Sequence, residues 1–86
     1  MPEISRFFGI VIAMFYNDHN PPHFHAYYGE HEAAITIGDG EVLWGSLPRR
    51  ALGHVQEWRE AHVRELEDDW QRARTRQPLR AIEPLE

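Results

Sequence analysis

Three of the six histidines in this 86-residue chain fall in one stretch, Asp18-His19-Asn20-Pro21-Pro22-His23-Phe24-His25. Imidazole changes charge near neutral pH and is the commonest metal ligand. His23 and His25 lie two apart at the start of a predicted strand, so both rings project from one face, with Cα atoms about 6.5–7 Å apart. Rings at that separation can converge on one divalent ion such as zinc, whose bonds to imidazole nitrogen are about 2.0–2.1 Å. His19 supplies a third ligand if the preceding loop folds back. Asp18, Glu30, His31, Glu32 or a water completes the shell.

Two other readings use the same residues. The histidines can fix a turn through backbone carbonyls and ring stacking, or contact a partner. Alternatively, one of them can act as an acid or base, with Asp18 or Glu32 setting its tautomer. Nucleophilic serine chemistry finds no support: the only serines are Ser5 and Ser46, and Ser46 reads as a helix cap. Gly38-Asp39-Gly40 lies between strands rather than before a helix, so it is no phosphate loop.

The elements that must hold the corner follow from periodicity. After a polar lead-in, Met1–Arg6, residues 7–16 read as a strand, apolar in both alternating sets and therefore covered on both faces. Gly9 marks a bulge or a close backbone approach within it. Asn17–Pro22 is a loop, and the remaining strands are expected at 23–28, 32–37 and 41–45. Short connections imply an antiparallel meander. Alternation places Phe24, Ala26, Tyr28, Ala33, Ile35, Ile37, Val42 and Trp44 on the core face. It turns His23, His25 and Tyr27 to the other face, beside Glu32.

Leu52, Val55, Trp58, His62, Leu66, Trp70 and Ala73 form one helical stripe, which predicts helix over about 48–74. A straight helix of that length would measure about 40 Å, against a domain about 30 Å across. It must overhang, pack on a second copy, or break, and a break is expected near Ala61–Arg64. Residues 77–86 contain Pro78 and Pro84 and read as an extended tail, with Leu79, Ile82 and Leu85 suited to an apolar groove. Arg49 and Arg50 fall in the first helical turn, where positive charge opposes the macrodipole. Glu41, Glu32 or an external anion would relieve them.

One domain is expected from this length, with a thin core that buries about 60–65 % of the unfolded surface. There is no cysteine, which excludes disulfides and thiolate metal sites and fits a reducing compartment. The apolar run at the N-terminus is too short for a membrane span and has no secretory pattern, so a cytoplasmic protein is expected. The net charge of -5 argues against general affinity for nucleic-acid backbone. A thin core, a doubly apolar first strand and an overlong helical segment together predict a homodimer.

The stretches Met1-Pro-Glu-Ile-Ser-Arg-Phe-Phe-Gly9-Ile-Val-Ile12, Asp18–His25, Tyr28-Gly-Glu30 and Gly45-Ser-Leu-Pro-Arg-Arg50, with Trp58, Trp70 and Ile82-Glu-Pro-Leu85, carry a family resemblance. The chain resembles the small prokaryotic domain-of-unknown-function family four-one-six-zero over nearly its whole length. That resemblance implies no established activity. It implies a protein encoded beside another small protein, in some cases under a toxin–antitoxin or regulator label, with Arg49 and Arg50 as the family's basic pair.

Two expectations follow for an α+β domain of about four strands and a long or kinked C-terminal helical segment. The first is a non-enzymatic binding or regulatory protein, with His19, His23 and His25 as a possible metal corner and Asp18, Tyr27, Glu32, Arg49 and Arg50 as further contacts. Its partners would be a second copy or another small protein. The alternative is a metal-assisted hydrolase or nuclease with Glu32 or Asp18 as base.

Overall fold

The computed structural model describes residues 2–86; Met1, counted in the expected lead-in, lies outside them. Five strands form one antiparallel meander in chain order: β1 (Glu3–Phe7), β2 (Ile10–Ala13), β3 (His23–Tyr28), β4 (His31–Thr36) and β5 (Val42–Ser46). Two helices follow, α1 (Arg49–Ala61) and α2 (Val63–Arg74), and then an irregular tail. The α+β meander agrees with the sequence reading, with one strand more.

The extra strand comes from a correction at residues 7–16. Phe8 and Gly9 have φ of 50° and 78°, the paired positive values of a tight hairpin turn that matches strand twist. Phe7 pairs with Ile10 across it. The predicted single strand is therefore two strands that fold back on each other. Phenylalanine is a poor residue for positive φ, so only Gly9 signalled the turn. Phe8, at the tip, is 55 % exposed.

A second correction concerns β5. Ala34 pairs with Trp44 and Ile35 with Val42, so Leu43 is an inserted bulge residue. Val42 keeps the core-facing register. Trp44 is shifted to the histidine face instead of the core, and its ring lies 5.7 Å from that of His25. Gly45, at φ 80° beside Ala33, has no room for a side chain: a β-carbon would run into the Glu32 carbonyl oxygen. Ser46 ends this strand and caps nothing; Pro48 holds the N-cap position of α1, without a side-chain hydrogen bond.

The helical segment breaks at His62, within the expected window. The break keeps the molecule within 33 × 26 × 23 Å, which a continuous helix would exceed. It lets α1 and α2 use different parts of the sheet. Trp58 of α1 is fully buried, 5.5 Å from the Phe7 ring and 5.7 Å from that of Phe24. Trp70 of α2 covers the start of β3, 5.4 Å from His23.

The tail docks on its own domain. Arg80 N–H donates to Asp69 Oδ1 (2.8 Å), Ile82 N–H to the Ile4 carbonyl (2.8 Å), and Trp58 Nε1–H to the Glu83 carbonyl (2.8 Å). Asp69 is fully buried, and its Oδ2 has no hydrogen-bond partner among the described residues. Burial pushes its carboxyl up, against the Arg80 N–H, with Asp68 pushing the same way as burial. An acid that binds its proton more tightly folded than unfolded loses stability as pH rises between the two values. Urea unfolding from pH 4 to 7 should therefore show wild-type stability falling relative to Asp69→Asn, through the window above the ordinary carboxylate range. Parallel curves would contradict this.

Candidate metal centre

His23 and His25 occupy alternate positions of β3, opposite Thr36 and Ala34 of β4. The pleat sends both rings away from Phe24 and Ala26, with centroids 5.2 Å apart. The shared face is as expected, but it is covered rather than open: His23 is 6 % and His25 7 % exposed. Trp70 covers His23. Phe15, Trp44 and Tyr27 surround His25 at 4.7, 5.7 and 6.5 Å. Trp44 and Trp70 were missed as walls of the site. Helical periodicity marks Trp70 only as an anchor, and the bulge reverses the parity that would place Trp44.

The loop 14–22 brings a carboxylate to the two rings. Asp18 Oδ2 lies 2.9 Å from His23 Nε2 and 3.1 Å from His25 Nε2. The loop is pinned from several sides. Met14 N–H donates to the Pro2 carbonyl (3.1 Å) and Ile37 N–H to the Pro22 carbonyl (3.1 Å). From beyond the sheet, Arg74 donates to Asn20 Oδ1 (3.2 Å), Arg76 to Asn17 Oδ1 (3.3 Å), and the Tyr16 hydroxyl to the Gln77 carbonyl (3.2 Å).

The donor count at His23 is informative. Its Nδ1–H donates to the Pro21 carbonyl at 2.8 Å. In a neutral ring Nε2 then carries a lone pair, yet it faces a carboxylate oxygen, a second acceptor, at 2.9 Å. Two acceptors this close need a proton or a cation between them. At His25, Nδ1 is buried without a hydrogen-bond partner among the described residues, and the Glu32 Oε2 carboxylate oxygen is 3.6 Å away.

The same geometry suits metal ligation. Asp18, His23 and His25 each offer a ligand atom, and these three atoms all lie within 4.8 Å of one another. Bonds of about 2.0–2.1 Å at tetrahedral angles space ligand atoms about 3.3 Å apart. The far ring nitrogens point to the Pro21 carbonyl and toward Glu32, the outer oxygen contacts that orient ligating imidazoles. Burial raises the affinity of Asp18 for its proton, but the His25 hydrogen bond and the nearby His23 outweigh it and hold the carboxyl below its ordinary value. An ionised Asp18 is the form that binds a cation.

The other expected contacts separate from this group. His19 is exposed, and the structure brings it to Asp18 only through its backbone N–H, which donates to Asp18 Oδ1 (3.1 Å). Glu30 and His31 are exposed at the β3–β4 turn. Tyr27 pairs with Glu32 across the sheet. Its hydroxyl is pushed up to about 12, first by burial and then by the Glu32 carboxylate. Arg49 and Arg50 are exposed at the start of α1, and neither Glu41 nor Glu32 forms an ion pair with them among the described residues.

What emerges is a small α+β meander in which a proline loop sets a half-buried carboxylate against two buried imidazoles. The chain belongs to the family described as domain of unknown function DUF4160, whose family model matches residues 9–71. No curated protein and no solved structure matches the chain. Among the described residues, no helix is long and apolar enough to cross a membrane.

Proposed function

We propose that this chain is a binding module whose Asp18, His23 and His25 hold a divalent cation of the zinc class. The observation that carries the reading is the convergence of both Nε2 atoms on one Asp18 oxygen while His23 Nδ1 is committed to a backbone carbonyl. A cation there resolves the acceptor–acceptor contact and ties the 14–22 loop to the sheet. Binding is favoured over hydrolysis by the roles left to the carboxylates. Asp18 is spent as a ligand, and Glu32 lies behind His25, on the Nδ1 side of the ring, rather than beside the cation. Neither is placed as a general base.

The wider reading is a cytoplasmic binding or regulatory protein that self-associates or pairs with a small protein partner, in the manner of an operon-paired, toxin–antitoxin-like system. The thin core expected at this length supports self-association. Elemental analysis of untagged protein tests the metal directly. Wild type equilibrated with zinc and then desalted is expected to hold about one equivalent per three-ligand site, and His25→Ala much less. Equal, near-zero contents in both would end the proposal.

A further inference from the structure

We propose that the outer edge of β5 is a self-association surface, where the β5 of a second copy pairs antiparallel about a two-fold axis. This rests on the self-association just described and names its surface.

In the order β1-β2-β3-β4-β5, two strands have a free side. At β1 that side receives the tail, through the Ile82 N–H to Ile4 carbonyl bond. At β5 every residue is exposed. Val42, Leu43 and Trp44 are three of the six large exposed hydrophobic side chains among the described residues, so half of those sit on this one strand. Edges left to solvent are ordinarily blunted with charge, proline or a bulge; Val42–Ser46 carries the Leu43 bulge but neither charge nor proline.

The charges lie at the two ends instead. Asp39 and Glu41 precede the strand, and Arg49 and Arg50 follow it. The arginines occupy a first helical turn with no acidic residue and no side-chain cap, where the macrodipole opposes them. Glu41, Arg49 and Arg50 form no side-chain ion pair among the described residues. Antiparallel pairing of two copies sets the acidic end of each strand against the basic end of the other, twice by symmetry. Parallel pairing would set like charge against like. A second copy thus matches both the uncharged centre and the charged ends.

Sedimentation velocity of the full chain across micromolar concentrations tests this, with thermal unfolding as the folding control. Wild type is expected to dimerise reversibly. Leu43→Lys and Arg49→Glu should each weaken the dimer by about tenfold or more, and Glu41→Arg combined with Arg49→Glu should restore it. A wild type that stays monomeric overturns self-association and this surface together. A dimer indifferent to both single substitutions overturns the β5 surface alone. Loss with Leu43→Lys but not with Arg49→Glu overturns the antiparallel arrangement.

Discussion

His23→Ala is expected to abolish most of the stabilisation that zinc confers on this protein. A ligand at one hundred times its dissociation constant stabilises the folded state by about 2.7 kcal/mol. For a domain of this size that corresponds to a rise in Tm of about 10–20 °C. Losing one of three protein ligands should weaken binding by at least about a hundredfold, since losing even an outer contact to a ligand typically costs 10–100-fold. At the same free zinc the variant then gains only about 0.4 kcal/mol.

The quantity to compare is the zinc-induced shift, not the absolute Tm. His23 packs on Trp70, so its removal also affects the metal-free fold. His19→Ala is the matched control: its side chain is outside the cluster, and the full shift should survive. Equal shifts for wild type and His23→Ala, measured by calorimetry in metal-buffered solution, would exclude this site. So would a loss with His19→Ala as large as with His23→Ala.

Trp58→Ala should be the most damaging single truncation in the core. The side chain is fully buried between Phe7 and Phe24 and ties down the tail through the Glu83 carbonyl. Large aromatic-to-alanine changes in a core cost about 3–5 kcal/mol, and the lost hydrogen bond adds about 1 kcal/mol. Whole domains have only about 5–15 kcal/mol, and a thin core places this one toward the lower end. The variant is expected to be largely unfolded at 37 °C by circular dichroism. Trp58→Phe keeps the aromatic packing but not the bond to Glu83, so it should fold and show faster proteolysis of residues 77–86. A folded, cooperative Trp58→Ala would mean that the helix layer is not anchored there.

Some of this was legible from residue order. Alternation over 23–28 gave the strand, the shared face of His23 and His25, and the buried side of Phe24 and Ala26, because a pleated chain has no other way to dispose its side chains. The stripe from Leu52 to Ala73, set against the length it implies, left an overhang, a second copy or a break, with a break expected near Ala61–Arg64, and the helices part at His62 within that window. Other features were not legible. The Phe8–Gly9 turn was hidden because phenylalanine is not a residue that such turns select. Strict alternation puts Trp44 on the core face, whereas one bulge residue reverses the parity of everything after it and turns Trp44 to the histidine face. Spacing puts His19 forward as the third ligand and Asp18 only as one of several groups completing the shell, whereas the structure gathers Asp18 with His23 and His25, since neighbouring loop residues differ only in how the loop closes.

Local periodicity thus determined which elements form and which pair of imidazoles shares a side, because both follow from steps of two and 3.6 residues along the chain. Tertiary structure alone decided that Asp18 meets them, that aromatic rings from a loop, an edge strand and a second helix bury them, and that the tail closes one sheet edge while the other stays bare. Those outcomes depend on contacts between segments far apart in the chain, and no short-range pattern encodes the distance between such segments.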